Sequence, residues 1–359
     1  MTNEEEQEYV GTESRKEIAW PEESLLGEVV FTDFEKIATP SQVTRLQVRI
    51  QYVNSQIEGF VKENQGEPKV LYNAANHLLM AGGKHVRALL SILACEAVGG
   101  RLEDIGPIAL AEELLQTASL IHDDIIDRDE LRRGVQAVHK KYGEQVAIIA
   151  GDLLIAQAIR LIGEHGTPQL ITRIGRSGVK MCEGEIADIV FTPEVSEPFS
   201  REEYLMMVGL KTVAFMREAV RTGATIGNAS QEQVDALTQY AEMLGFAFQI
   251  RDDILDVIAS TKEIGKPVLS DLQKRRRNYV LMHALESASE TRRKQCLEEL
   301  SAGNVRDALV LIGETDSVAY ADDLAKEYIV RAKVALKGQD FAEKDLLELL
   351  AGYAIKRER

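Results

Sequence analysis

Two copies of one acidic pattern, Asp-Asp-x-x-Asp, occur 129 residues apart, at Asp123–Asp127 and Asp252–Asp256, each within a strongly apolar stretch. The first and last aspartates of each copy are four residues apart and therefore share one face of a helix. Carboxylates beside isoleucine and leucine repel one another and resist burial unless cations compensate them. Magnesium prefers oxygen ligands and usually binds through one or two carboxylates plus substrate phosphates. The two clusters therefore predict a diphosphate held between them by metal, with these candidate metal ligands: Asp123, Asp124, Asp127, Asp252, Asp253 and Asp256.

Basic residues occur where a metal-bridged diphosphate would need them. Arg132-Arg133 follows the first cluster, Gly82-Gly83-Lys84-His85-Val86-Arg87 precedes it, and Gly265-Lys266-Pro267 follows the second. Arginine's planar fork binds phosphate bidentately, while lysine supplies a point charge. In a chain of net charge −16, this grouping of cations near the aspartates indicates a phosphate site.

The elements that position these residues are predicted to be helices. Apolar residues recur at intervals of three and four almost throughout, and proline occurs only 8 times, which together favour an all-α fold. Helix 143–158 is apolar on most of its circumference and so belongs inside a large bundle with a central cavity. Helices are predicted at about 41–64, 70–80, 84–99, 105–130, 143–165, 168–191, 200–226, 230–258, 275–289, 291–313, 317–337 and 341–356.

Length and composition indicate one large domain. The chain has 359 residues, 45% of them hydrophobic, and no linker divides it, so residues 41–359 are expected to form a single catalytic domain. Residues 1–40 are acidic and are expected to be a poorly ordered or loosely packed extension. They match neither a signal nor a transit peptide.

Charge and cysteine usage exclude several classes. A net charge of −16 argues against general nucleic-acid binding, which needs a basic face. Cys95, Cys182 and Cys296 have no metal-ligand spacing, which indicates a reducing compartment, and a cytoplasmic location is expected. No stretch reaches the ~18 uninterrupted apolar residues of a transmembrane segment.

These motifs resemble those of the trans-isoprenyl (polyprenyl) diphosphate synthases from about residue 40 to the C-terminus. Ser119–Asp127 followed by Arg132-Arg133-Gly134 resembles the first aspartate-rich motif in its short form, and Phe248–Asp256 resembles the second. Gly82-Gly83-Lys84 with Arg87 resembles the isopentenyl diphosphate segment. Further matches in order and spacing are Gln116, Gly184-Glu185-Ile186 and Lys211-Thr212.

The resemblance implies condensation of an allylic diphosphate with isopentenyl diphosphate by a homodimeric helical bundle that uses about three Mg²⁺ ions. Asp123, Asp127 and Asp252 would ligate metal, and the other three aspartates would support them. Lys211, Thr212 and Gln249 would stabilise the allylic cation. The residues implied for the allylic diphosphate are Arg132, Lys211, Lys266 and Arg276. Those implied for isopentenyl diphosphate are Lys84, Arg87, Gln116 and Arg133.

Two segments depart from the family pattern. The isopentenyl segment usually reads Gly-Gly-Lys-Arg-x-Arg-Pro, but here His85 and Ala88 replace one arginine and the proline. After Asp271-Leu272, where the family commonly has Gly-Lys-x-Thr-x-Pro, this chain has Arg275–Val280, and Arg276 aligns with the missing lysine. Arginine keeps the charge but differs from lysine in geometry.

The resemblance also bears on product length. In this family the residues four and five positions before the first aspartate form the floor of the hydrophobic pocket, and here they are Ser119 and Ala118. Farnesyl enzymes typically have an aromatic ring there. Small residues indicate a product of geranylgeranyl length or longer, with the next floor at deeper positions such as Leu115.

Three alternative functions stay open. A class I terpene cyclase also ionises diphosphates with magnesium, but its second motif usually mixes Asn or Asp with Ser or Thr and Glu. A non-catalytic subunit of a heteromeric prenyl synthase would share the fold, but such subunits usually lose aspartates. A helical di-metal protein of another class would need Glu-x-x-His pairs.

Two residue groups near the motifs favour structural roles. His122 is predicted to be a packing or hydrogen-bonding histidine rather than a metal ligand. Gly82-Gly83 fits an ordinary helix C-cap that leads into the next helix.

Overall fold

The structure, a computed structural model, describes residues 34–190, 200–258 and 277–357. These residues form helices almost throughout, which confirms the all-α prediction. The helices are α1 (Pro40–Glu63), α2 (Lys69–Met80), α3 (Val86–Ala97), α4 (Leu102–Asp127), α5 (Val138–Tyr142), α6 (Glu144–His165), α7 (Pro168–Val190), α8 (Arg201–Val208), α9 (Ala214–Ile226), α10 (Gln231–Ile258), α11 (Tyr279–Ser287), α12 (Glu290–Ser301), α13 (Arg306–Glu314), α14 (Ser317–Ala335) and α15 (Lys344–Lys356).

The helices that carry the two aspartate clusters, α4 and α10, lie in the interior. Ala118 and Ile121 of α4 belong to a core shared with α1, α2 and α6. Ile250 and Ile254 of α10 belong to a second core shared with α9, α14 and α15. Each cluster is therefore at the end of a helix whose remaining length is anchored by apolar burial.

A short hairpin follows α4 and was not predicted. Strands β1 (Leu131–Arg132) and β2 (Val135–Gln136) pair antiparallel, with Arg132 opposite Val135. The two turn residues, Arg133 and Gly134, have φ of 53° and 76°. Positive φ at both central residues is the requirement of a type I′ hairpin turn. Strands of two residues are too short to produce an alternating pattern in the sequence.

Two predicted helices differ from those observed. The segment predicted as 291–313 is broken after Ser301 by Gly303, whose φ is 84°, and it resumes at Arg306 as α13. The segment predicted as 200–226 is interrupted by a π-helical turn, Gly209–Val213, between α8 and α9. Such π turns occur frequently at functional sites.

Ordered packing begins before residue 40. Phe34 is 1% exposed and stacks on Tyr353, with ring centroids 4.2 Å apart. Thr39 then caps α1 through a capping box with Gln42. Residues from Phe34 onward therefore pack with the bundle, and residues 1–33 of the predicted extension lie outside the described residues.

One helix in the described part of the chain, α6, is long and apolar enough to cross a membrane by length and composition alone. Only 39% of its apolar window is buried inside the bundle. Its exposed side chains include Ile148, Ile149 and Ile159.

Candidate active site

The first aspartate cluster lies in the last turn of α4. Asp124 is fully buried and accepts hydrogen bonds from Arg132, with Nε at 2.7 Å. Arg132 also donates to Asp129, at 3.0 Å. Asp123 and Asp127 are only partly buried. The middle aspartate is thus held by a protein cation, while the two that share a helix face are less enclosed.

The second cluster lies near the end of α10. Asp253 is 1% exposed and accepts hydrogen bonds from the Tyr204 hydroxyl at 2.8 Å, the Tyr279 backbone N–H at 2.7 Å and the Gln249 amide at 3.1 Å. Burial raises the pKa of Asp253 to about 7, although these hydrogen bonds oppose the rise. Asp252 and Asp256 are partly buried, as their counterparts on α4 are.

The charges of both clusters act on Arg87, in the space beside α3 and α4. Burial lowers the pKa of Arg87 to about 10, although nearby carboxylates, including those of Asp123 and Asp252, oppose the change. The guanidinium also lies over the Phe215 ring, 5.3 Å from its centroid.

The π turn presents Lys211 and Thr212 to this space. Lys211 Nζ lies 2.6 Å from Glu185 and 2.8 Å from Asp188. Burial lowers the pKa of Lys211, but the charges of Asp188, Glu185 and Asp123 outweigh it and raise that pKa. Helix α7 approaches the π turn closely because Gly184 has no side chain. A Cβ at this position would lie 2.3 Å from the backbone nitrogen of Lys211.

Thr212 is linked to the second cluster through Gln249. The Thr212 hydroxyl donates to Gln249 Oε1 at 3.0 Å, and Gln249 Nε2 donates to Asp253 at 3.1 Å. The three residues predicted to stabilise the cation, Lys211, Thr212 and Gln249, are thus brought together. Asp253 fixes the amide orientation of Gln249.

The residues implied for isopentenyl diphosphate converge at the start of α3. Arg133 lies against Gly83, where an added Cβ would be 3.0 Å from its guanidinium carbon, and it donates to the Leu78 carbonyl at 3.1 Å. Lys84 Nζ is 5.4 Å from the Tyr353 ring centroid. Gln116 Oε1 is buried without a hydrogen-bond partner among the described residues. Rotating that amide would offer N–H donors to a phosphate.

Two adjacent glutamates on α4, Glu112 and Glu113, lie beside these cations, and their pKa values are shifted in opposite directions. Glu113 accepts a hydrogen bond from His85 Nδ1 at 2.8 Å, and both side chains are buried. Burial alone would raise the pKa of Glu113, but His85, Arg133 and Arg87 together outweigh it and lower that pKa. Burial raises the pKa of Glu112 well above its ordinary value. His85, which replaces an arginine of the family pattern, thus supplies a hydrogen-bonding partner to α4.

The C-terminal segment reaches the second cluster. Arg357 is 5% exposed, contacts Asp252 at 2.5 Å and lies over the Phe248 ring, 3.6 Å from its centroid. Its carbonyl accepts hydrogen bonds from Arg251. No local sequence signal links residues more than a hundred positions apart.

Several predicted residues need separate mention. Lys266 and Arg276 lie outside the described residues. Ala118 is fully buried, Ser119 donates to the Gln116 carbonyl at 2.9 Å, and Leu115 is partly buried on the same helix. His122 Nε2 hydrogen-bonds the Ile148 carbonyl at 3.1 Å, which confirms the hydrogen-bonding role. Gly82, with φ of 78°, follows the end of α2, which confirms the C-cap.

The carboxylates fit magnesium, but only together with a substrate. Among the described residues, no three His, Cys, Asp or Glu side chains form a preformed metal cage. Asp123 and Asp127 supply only carboxylate oxygens from one helix face, and Asp252 and Asp256 do the same from the other helix. That donor set suits a hard cation that completes its coordination with water and phosphate.

Comparison with known proteins agrees with this site. The polyprenyl synthetase family model matches residues 68–310. A short chain isoprenyl diphosphate synthase of Methanothermobacter thermautotrophicus is 36% identical over 299 residues, covering 81% of this chain and 91% of that protein. A geranylgeranyl diphosphate synthase of Methanosarcina mazei is 35% identical over 326 residues, covering 88% of this chain and 98% of that protein.

Solved structures agree as well. A geranylgeranyl pyrophosphate synthetase from Pyrococcus horikoshii superposes with a TM-score of 0.80 at 34% identity, covering 89% of this chain and 99% of that one. A Caulobacter crescentus polyprenyl synthase, solved with calcium and isoprenyl diphosphate, superposes with a TM-score of 0.78 at 27% identity, covering 94% and 100%. The chain belongs to the polyprenyl synthetase family and is a prenyl transferase, which confirms the predicted family, fold and enzyme class.

Four contributors to the site were missed by sequence reasoning: Asp188, Tyr204, Asn278 and Arg357. Asp188 occurs one helical turn after the matched Gly184-Glu185 and could have been found by that spacing. Asn278 caps α11 and donates to the Asp253 carbonyl at 3.1 Å. Tyr204 and Arg357 reach the site only through tertiary packing.

Proposed function

We propose that this enzyme condenses an allylic diphosphate with isopentenyl diphosphate in the presence of Mg²⁺ and makes trans-prenyl diphosphates of geranylgeranyl length or longer. The proposal rests on the hydrogen-bonded link from Thr212 through Gln249 to Asp253. Arg87 supports it, because the charges of both Asp123 and Asp252 act on this one cation, as two neighbouring diphosphates require. The named functions of the relatives support the substrate class.

The metal would be held by Asp123 and Asp127 on one side and by Asp252 and Asp256 on the other. Bound there, it would supply charge neutralisation to the departing diphosphate. About three ions are expected. Asp124 and Asp253 support the clusters from beneath, because both are buried and already accept hydrogen bonds from protein donors.

The protein's own residues prepare the allylic side of the reaction. Arg132 and Lys211 carry positive charge toward the first cluster and bind the allylic diphosphate, with Lys266 and Arg276 as further candidates. When the carbon–oxygen bond breaks, the Thr212 and Gln249 oxygens lie near the allylic cation and stabilise it. The buried helices around them exclude water, which would convert the cation to an alcohol.

Lys84, Arg87, Gln116 and Arg133 orient the second substrate. They bind the diphosphate of isopentenyl diphosphate, so that its double bond attacks the allylic cation. Loss of a proton to the departed diphosphate completes a five-carbon extension. Glu113 and His85 hold these cations in place from the buried side.

The pocket for the growing tail is proposed to run along α4 behind the first cluster. Ala118 and Ser119 form its upper floor and Leu115 lies one helical turn deeper. Small side chains at the upper floor permit a tail longer than that of a farnesyl product. Incubating the protein with isopentenyl diphosphate, Mg²⁺ and allylic primers of three lengths, then sizing the products, tests both activity and length. No elongation of any primer would refute the proposal.

We also propose a homodimer through α6 and α7. The exposed residues Ile171, Val179, Ile186 and Ile189 recur along one face of α7, where Gly175 and Gly178 permit close approach. Ile148, Ile149 and Ile159 form a matching stripe on α6. Apolar stripes of this size on neighbouring helices indicate a protein partner. A cytoplasmic location stays a prediction from the cysteine usage.

A further inference from the structure

A second cleft lies at the opposite end of the bundle from the aspartate clusters. Its volume is about 340 Å³, and its polar lining consists of Arg173, Arg221, Thr225, Asn228 and Gln231. Gln231 begins α10, and Asp252 lies 21 residues later on the same helix. At 1.5 Å per residue, the cleft is about 31 Å from the second cluster. It is therefore distinct from the active site.

Arg173, on α7, has one nitrogen without a partner. Its Nε donates to Glu218 at 3.0 Å and its Nη1 donates to the Thr225 hydroxyl at 3.2 Å. Its Nη2 is buried and has no hydrogen-bond partner within residues 34–190, 200–258 and 277–357. A buried guanidinium N–H without an acceptor is unfavourable, so the described residues leave Arg173 incompletely satisfied.

Charged groups of both signs surround Arg173. Arg221 is exposed, on α9, and its charge is near enough to affect Glu218. Burial raises the pKa of Glu218, and the charges of Arg173 and Arg221 offset part of that rise. The other nearby carboxylate, Asp235, accepts a hydrogen bond from Gln231 at 2.8 Å.

The start of α10 at Gln231 adds the positive end of a helix dipole to the cleft. Two arginines also stand out in a chain of net charge −16. Asn228 and Thr225 offer further donors, and this combination matches the oxygens of a phosphate group.

We propose that this cleft is a second binding site for a phosphate-type oxyanion, either inorganic phosphate or inorganic diphosphate, held by Arg173 and Arg221. Arg173, held by Glu218 and Thr225, supplies positive charge from the inner side of the cleft, and Arg221 supplies hydrogen-bond donors from the solvent side. The apolar face of α7 that we assign to the dimer is on the other side of the helix, because Arg173 is about 200° around the helix from Ile171. The site is therefore accessible in a dimer.

Calorimetric titration of the full chain without divalent metal tests the site, with inorganic phosphate and inorganic diphosphate as separate probes. An Arg87→Met background weakens anion binding at the active centre, where Lys84, Arg132, Arg133 and Lys211 remain. In that background we expect Arg221→Gln to weaken one binding event about tenfold or more and to leave any residual binding at the active centre unchanged, since only the cleft loses a charged hydrogen-bonding partner. Arg306→Gln, an exposed arginine on α13, is the matched control and should titrate unchanged.

Two further measurements complete the test. Arg173→Lys keeps the charge but loses the fork, so it should also weaken binding. Arg221→Gln should retain wild-type turnover because it lies far from the aspartates. The probe that binds more tightly, phosphate or diphosphate, identifies the class of the physiological ligand. The site is refuted if neither probe binds in the Arg87→Met background, or if Arg221→Gln binds as tightly as its parent.

Discussion

The two aspartate clusters have the same sequence pattern, but their middle aspartates are held in different ways. Asp124 is paired with Arg132, a cation that we also assign to the allylic diphosphate. Within the described residues, Asp253 accepts from neutral donors: a tyrosine hydroxyl, an amide and a backbone N–H. The middle aspartate of the first cluster is thus coupled by charge to a residue that we propose to bind substrate. The middle aspartate of the second cluster is anchored by neutral hydrogen bonds to the helices beside it.

This difference separates two uses of one motif. In both clusters the outer aspartates are partly buried and share a helix face, whereas the middle one is completely enclosed. A completely enclosed carboxylate whose oxygens already accept from protein donors is poorly placed to take a metal. We therefore infer that the middle aspartates position the clusters, and we propose the outer ones as the metal ligands.

The largest effect is expected from the outer aspartates. Asp123→Ala and Asp252→Ala should each reduce turnover by orders of magnitude, because each removes a metal ligand that acts in the transition state. Steady-state kinetics at saturating Mg²⁺ would measure this. Asp345→Ala, on the surface near α15, is the control and should retain its turnover. Near-normal rates in both cluster variants would refute the metal assignment.

The middle aspartates should respond differently from each other. Asp124→Asn weakens the partner of Arg132 and should raise the KM for the allylic substrate. Asp253→Asn replaces an acceptor of three hydrogen bonds and should mainly cost stability, by about 1–3 kcal/mol. Denaturant melts and KM values for both variants would distinguish the two roles. If Asp124→Asn and Asp253→Asn changed the KM and the stability by equal amounts, the proposed difference between the clusters would be wrong.

The pocket for the growing prenyl tail should lie behind the first aspartate cluster and not behind the second. Ala118→Phe places a ring five residues before Asp123 and should shift products toward shorter chains. The matched position on α10 is Ala247, five residues before Asp252 and equally buried. The folded fraction of the Ala247→Phe variant should give an unchanged product distribution. Chromatographic sizing of products would check this, and unchanged lengths for Ala118→Phe would place the floor elsewhere.

The helix of the first cluster also carries buried charge that α10 lacks. The positions on α10 at the same distance before the second cluster are Ala241 and Glu242. Ala241 is buried, and Glu242 pairs with Arg217 near the surface. The raised pKa of Glu112 means that its contribution to stability is present at low pH and is lost as pH rises. Glu112→Gln should therefore stabilise the protein relative to wild type, increasingly from pH 5 to 8.

Glu113 should show the opposite sign. Its pKa is lowered beside His85, so its contribution is present above the ordinary carboxyl value and is lost as pH falls. Glu113→Gln should destabilise the protein at neutral pH by about 1–3 kcal/mol, since it breaks a charged hydrogen bond. Thermal melts of both variants across this pH range would test the pair. The same sign in both would contradict the assigned states.

The smallest effect on catalysis is expected at the proposed dimer surface. Val179→Glu and Ile159→Glu place charges on exposed apolar stripes and should shift the protein from dimer to monomer. Light scattering during size-exclusion chromatography measures this. Lys326→Glu, at an exposed position on α14, is the control and should leave the molecular mass in solution unchanged. A wild-type protein that is monomeric at micromolar concentration would contradict the proposal.

Much of the fold was predictable because its signals are local. Three- and four-residue periodicity locates the helices, and α4 and α10 agree with prediction to within a few residues. The break at Gly303 and the π turn at Gly209–Val213 were not predicted. In both places apolar residues continue the helical pattern through a local change in backbone geometry.

The sequence by itself determined the family and predicted which residues carry the chemistry: the spaced aspartates, the nearby cations and the Lys211-Thr212 pair. Only the tertiary structure decided how they are held. Arg357 meets Asp252 and Tyr204 meets Asp253 across 105 and 49 residues, respectively. The two glutamates of α4 acquire opposite protonation tendencies from their neighbours in space. Local spacing specifies a helix face, but burial and charge pairing depend on which other elements pack against that face.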